Sequence, residues 1–340
     1  MPSITAQNAR QSAWLAASVL PGIFGIVTLS VIWKLGMYFP AKTLAQYAEK
    51  VLGKFLGKML AGIYVLFFLM ANIVIVREFA EVLTVVFMPE TPILVFAALL
   101  VLVGGYAVAK GLEVITRAAQ FVLPLFLLSL ALVMLLSIPD MELGRFRPLL
   151  EGGLLPIING SVAPASWYGQ VILIAVLLPA VNKPKEVFKQ GLVMLAAAAA
   201  VFTSVTASAL AVFGPELTGN FLFPVLEMAR YVNAARFVQR MEILVMAFWV
   251  TGIVIKASVF YYAICLTSAQ LLGLKAYKPL VYPVGLVQIT GATFLFGSTL
   301  ELMGFLAKVW SPLALVFELG LPLLLLMVTL MRPTLRRNTR

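Results

Sequence analysis

Apolar runs of 18 residues or more recur nine times along this chain of 340 residues, separated by short clusters of charge, proline and glycine. A bilayer hydrocarbon core about 30 Å thick is crossed by about 20 apolar residues at about 1.5 Å of helical rise each. The runs therefore predict nine spans, at 13–33, 58–87, 92–109, 114–137, 156–180, 187–213, 238–272, 279–299 and 304–331. Apolar residues make up 62% of the chain and charged residues 11%, against about 45–50% and about 25% in a soluble domain. The predicted fold class is thus an all-α polytopic membrane protein, and soluble cytosolic enzymes are excluded. No cleavable signal is read at the start, because Met1 to Gln11 is polar and the first apolar run is too long for a signal's apolar region.

The +11 net charge is informative through its placement. Loops on one side of the nine spans collect Lys34, Lys42, Lys50, Lys54, Lys58, Lys110, Arg117, Lys183, Lys185, Lys189, Lys275, Lys278, Arg332, Arg336, Arg337 and Arg340 against three acids. The other side holds Arg10, Arg145, Arg147, Arg230, Arg236, Arg240 and Lys308 against eight acids: Glu90, Asp140, Glu142, Glu151, Glu216, Glu227, Glu242 and Glu301. By the positive-inside rule the first side is cytoplasmic, which places the C-terminus inside and the N-terminus outside. The basic excess reads as topology plus contact with anionic membrane lipids, with no nucleic-acid partner. Its densest part, 42–58, carries Leu44, Tyr47, Val51, Leu52, Phe55 and Leu56 at helical spacing, with Lys42, Lys50 and Lys54 off that stripe. This predicts a basic amphipathic helix on the cytoplasmic surface.

The chain has no histidine, and its lone cysteine, Cys265, excludes an internal disulfide. No nucleophile with a base and no paired carboxylates at the membrane midplane are visible. The expectation is a protein that is not an enzyme and needs no metal or cofactor.

The spans fall into a run of four, 13–137, and a run of five, 156–331, with the longest member third from last in each. Long helices in equivalent places suggest a five-plus-five inverted repeat, the plan of many secondary transporters, with the first repeat at 1–138, the second at 156–331, and one helix missing at the front. The first helix of each repeat in such folds is broken near the midplane. Here the corresponding segment of the second repeat, 156–180, contains Gly160, Ser161, Pro164, Ser166 and Gly169 ahead of an unbroken apolar half. Free backbone groups at Gly160, Ser161 and Gly169 are expected to hold a carboxylate or ammonium, with Ser166, Trp167 and Tyr168 beside it.

Ionisable groups at the centre of a membrane helix cost at least about 2.5–3.5 kcal/mol, so each needs a partner or a purpose. Counted inward from the cytoplasmic basic residues at 1.5 Å per residue, Asn72, Tyr168 and Glu318 lie about 21–23 Å deep and Lys256 about 28 Å. These four groups on four helices form the expected ligand layer. Lys256 has several uses open to it: replacing a coupling cation, pairing with Glu318, contacting a substrate carboxylate, or holding helices together. Arg77 and Glu81 are spaced i, i+4 for mutual neutralisation, and with Glu78 they charge the outer half of span 58–87.

The segments FPAKTLAQYAEKVLGKFLGK (39–58), MPETP (88–92) and RFRPLLEGGLLPIINGS (145–161) resemble the integral-membrane B subunit of spore nutrient-germinant receptors. That family is related to amino acid permeases of the amino acid-polyamine-organocation superfamily. The resemblance implies ten helices in the five-plus-five fold, with a further helix ahead of Pro2 to Trp14; either the true start lies upstream of Met1, the favoured reading, or the protein is degenerate. It also implies binding of small nutrients such as amino acids to trigger germination. The partners would be an A subunit and a C-subunit lipoprotein in the inner membrane of the endospore. The alternative function is a proton-coupled amino acid transporter of the same superfamily.

Overall fold

A computed structural model describes residues 2–148, 150, 152–234 and 241–332. Of the charges that set the expected orientation, Glu151, Arg236, Arg240, Arg336, Arg337, Arg340 and the Glu242 side chain lie outside this description, as do positions 238–240 of the seventh expected span. The described chain is helical with no strand. Its main elements are α1 (Pro2–Ala9), α2 (Val19–Tyr38), α3 (Leu44–Leu52), α4 (Lys54–Val86), α5 (Ile93–Lys110) and α6 (Leu112–Leu136). They continue with α7 (Leu155–Tyr168), α8 (Val187–Asn220), α9 (Pro224–Ala234), α10 (Met241–Leu272), α11 (Val281–Phe294) and α12 (Thr299–Met331).

Eight described helices are long and apolar enough to cross a membrane, one fewer than the sequence predicts. The difference is the expected span 279–299. Its helix α11 has only 14 residues, about 21 Å of rise against a core of about 30 Å. It stops at Phe294, and the chain runs without helix through 295–298 before α12 begins. The first span also shifts. Ala13–Ala16 is a separate short helix, and α2 starts only at Val19. The expected end of the sixth span at 213 falls on a break, where Gly214 takes φ +77° ahead of Pro215. Only glycine adopts that left-handed backbone at little cost.

The amphipathic stretch at 42–58 divides in two. Thr43 and Gln46 form a capping box that starts α3, and Leu44, Tyr47 and Val51 are buried as expected. Gly53 at φ +87° then ends the helix, and Lys54 opens α4. Phe55 and Leu56 consequently leave the buried stripe and stand 82% and 48% exposed on the first turn of α4. Arg332 ties α3 down by donating from Nη1 to the Val51 carbonyl at 2.9 Å. Burial raises the Tyr47 phenol far above its ordinary range.

The long helices α4 and α10 pack along each other, with α5, α6 and α11 around them, while α2 lies against α7 and α8. In lipid, close backbone approach rather than hydrophobic exclusion drives helix packing, so small residues mark the interfaces. Gly104 and Gly105 of α5 face Tyr261 of α10, and Gly160 lets α7 approach Ala9 and Ala16. The outward face is apolar instead. On α6, Phe121, Leu128 and Leu135 repeat every seven residues and are all exposed.

Candidate functional site

The site begins with two irregular turns in α12. Residues Leu306–Trp310 and Val316–Gly320 form π turns. Each closes with a bond from the residue just ahead of a proline, Ser311 N–H to the Leu306 carbonyl and Leu321 N–H to the Val316 carbonyl. Pro312 and Pro322 have no N–H to continue the ladder and crowd the turn before them, a local cause for the widening. Neighbouring groups take up what the helix releases. The Tyr64 hydroxyl on α4 donates to the Phe317 carbonyl at 2.9 Å. The Phe67 ring stacks on both Trp310 and Phe317, with centroids 5.2 and 4.7 Å away and planes within 9° and 3°. Stacking of this kind adds about 0.5–1.5 kcal/mol per pair beyond burial and locks the second π turn against α4.

That turn carries Glu318, which is 1% exposed. Its carboxylate lies against Gly169, where a Cβ would stand 1.9 Å from Oε2 and 2.5 Å from Cδ. Only glycine fits there. Gly169 opens a 3-10 stretch, Gly169–Leu173, that packs on the π turn, so two irregular segments from different helices meet at the carboxylate. Oε2 has no hydrogen-bond donor among the described residues. Lys256 on α10 is half-buried and within electrostatic reach of both Glu318 and Glu78 of α4. It forms no ion pair with either among the described residues.

The structure thus brings Gly169 and Glu318 together, with Lys256 and Glu78 within electrostatic reach. The remaining expected residues lie elsewhere. α7 is continuous through Tyr168 despite Pro164, so the expected unwinding at Gly160 and Ser161 is absent. Helical backbone on both sides of Pro164 remains sterically allowed, and the departure from α geometry comes later, at Gly169. The Ser161 and Ser166 hydroxyls bond back to the Ile157 and Ala163 carbonyls of their own helix. Trp167 and Tyr168 turn toward Phe202 of α8, and Tyr168 packs with Leu29 and Leu195. Asn72 is fully buried and donates to Gln288 of α11 at 2.6 Å. Its Oδ1 and the Gln288 Nε2 have no hydrogen-bond partner among the described residues.

Arg77 and Glu81 are indeed paired, at 2.7 Å and almost completely buried. Their role is more than neutralisation. Arg77 Nη1 also donates to the Ala292 and Thr293 carbonyls, and Glu81 Oε2 accepts from the Thr299 hydroxyl. One ion pair therefore holds both the end of α11 and the start of α12 across the non-helical stretch 295–298. Sequence reading missed Gln288, Tyr64 and the two π turns. A glutamine in an otherwise apolar span and the prolines at 312 and 322 were the available signals.

An all-α polytopic membrane protein whose irregular helix segments meet at buried charges is permease-like in construction. Residues 1–301 match the spore germination protein family, and the chain belongs to it. Spore germination protein KB of Bacillus subtilis (strain 168) is 26% identical over 337 residues, covering 98% of this chain and 90% of the relative. The putative spore germination protein YfkT of the same organism is 25% identical over 96% of this chain and 89% of its own. Spore germination protein XB of Bacillus anthracis is 23% identical over 78% and 73%.

Proposed function

We propose that this protein is the integral-membrane subunit of a spore germinant receptor and binds a small nutrient carrying an ammonium group, such as an amino acid, to trigger germination. The observation that carries the reading is the buried Glu318 carboxylate on its π turn, unpartnered at Oε2 and facing Gly169. Glu78 and Lys256 lie within electrostatic reach, and a ligand ammonium meets the acceptor that Oε2 leaves open. Lys256 is then placed to meet the ligand carboxylate. The reading is of a binding protein, not an enzyme, acting with an A subunit and a C-subunit lipoprotein in the inner membrane of the endospore. The five-plus-five repeat and the cytoplasmic C-terminus belong to the same proposal.

The test is Lys256→Met in spores that depend on this receptor. Losing one charged hydrogen bond of about 1.5–3 kcal/mol shifts the nutrient concentration for half-maximal germination upward by about 10- to 150-fold, with membrane abundance unchanged. A variant that germinates like wild type removes Lys256 from the site. Gradient-driven uptake of labelled amino acid into proteoliposomes holding this chain alone would replace sensing with transport.

A further inference from the structure

A second site lies on the face that carries the basic excess, away from the Glu318 cluster and independent of the nutrient reading. An open cleft of about 550 Å3 separates α3 from the C-terminal end of α10, lined by Lys42, Gln46, Glu49, Lys50, Lys54 and Gln270. None of the three lysines forms an ion pair among the described residues, although Glu49 shares the wall. The two amides are half used. Gln46 Oε1 accepts from the Thr43 N–H at 3.1 Å and Gln270 Oε1 from the Thr43 hydroxyl at 2.5 Å, which fixes both side chains and leaves their NH2 groups as donors. The cleft therefore offers three ammonium groups and two amide donors, with one carboxylate as acceptor. Just past Lys54, Phe55, Leu56 and Met59 stand 82%, 48% and 52% exposed. A soluble anion or an acidic peptide has no use for apolar side chains exposed on the turns that follow Lys54, whereas a lipid does.

We propose that the cleft binds the headgroup of an anionic glycerophospholipid. The lysines and amides hold the phosphodiester, Glu49 accepts from a headgroup hydroxyl, and the acyl chains lie along Phe55, Leu56 and Met59. Phosphatidylglycerol has this chemistry and is the probe. The experiment places the full chain in phosphatidylcholine nanodiscs and titrates phosphatidylglycerol, reading retained lipid by native mass spectrometry. Basic residues near an anionic surface contribute about 1 kcal/mol each, or about fivefold in affinity. Lys42→Gln/Lys50→Gln/Lys54→Gln is therefore expected to weaken retention by about 100-fold, and Lys50→Gln alone by about fivefold. Melting in pure phosphatidylcholine should match wild type, and the single variant keeps the test valid if the triple one is unstable. Equal retention by wild type and Lys50→Gln would overturn the proposal. So would displacement of the lipid by inorganic phosphate, or by a polyglutamate peptide, at the concentrations where phosphatidylglycerol itself competes.

Discussion

Replacing Gly169 by alanine tests the nutrient site at its tightest point. The added Cβ would meet Glu318 Oε2 at 1.9 Å, Cδ at 2.5 Å and Phe24 Cε1 at 2.8 Å, and ordinary contact starts at 3.4 Å. The carboxylate must therefore retreat by about 1.5 Å, since the backbone on either side is packed. At an effective dielectric of about 20, moving an ammonium–carboxylate pair from about 2.8 to about 4.3 Å lowers its attraction from about 6 to about 4 kcal/mol. The loss of about 2 kcal/mol corresponds to about thirtyfold weaker binding. Equilibrium binding of radiolabelled amino acids to the purified chain in nanodiscs reads this directly. Overpacking also costs about 1–3 kcal/mol of stability, so Gly169→Ala is combined with Glu318→Asp, which is one methylene shorter. The double variant should recover the melting temperature without recovering affinity. Gly160→Ala is the control, because the nearest atoms to its Cβ belong to Ala9, Ala16 and Asn8 at 3.1–3.5 Å, away from Glu318, and it should leave affinity alone. Gly169→Ala binding at wild-type affinity would show that the Glu318 carboxylate does not hold the ligand.

Removing one partner of a buried ion pair costs about 3–5 kcal/mol. Arg77→Met should accordingly lower the melting temperature and membrane abundance sharply, and Arg77→Met/Glu81→Met should restore much of both; a double variant as unstable as the single would refute the pairing argument. The Asn72–Gln288 bond crosses from α4 to α11, and interhelical hydrogen bonds in membranes average about 0.6 kcal/mol with a maximum near 1.7. A double-mutant cycle of Asn72→Leu and Gln288→Leu should give a coupling in that range by thermal or denaturant unfolding, and a coupling of zero would remove the bond.

The sequence alone determined the class of the protein. Long apolar runs cannot be reconciled with water, and their length fixes helical spans to within a few residues, as at 93–110 and 112–136. It also singled out Lys256, Glu318 and Gly169, because a charge or a backbone break inside an apolar run is conspicuous without any structure. The tertiary structure decided which of the marked residues share a place. Tyr168 and Glu318 have similar depths along the chain, yet depth fixes one coordinate only, and rotation about each helix sends Tyr168 to Phe202 and Glu318 to Gly169. Composition spreads the candidate break over Gly160 to Gly169, but proline and glycine only permit a break, and packing chooses where it occurs. Here it falls at Gly169, where the carboxylate of another helix takes the space a side chain would fill, and at 295–298, where Arg77 and Glu81 satisfy helix ends that lipid cannot. Such contacts join residues far apart in the chain, so no local pattern encodes them.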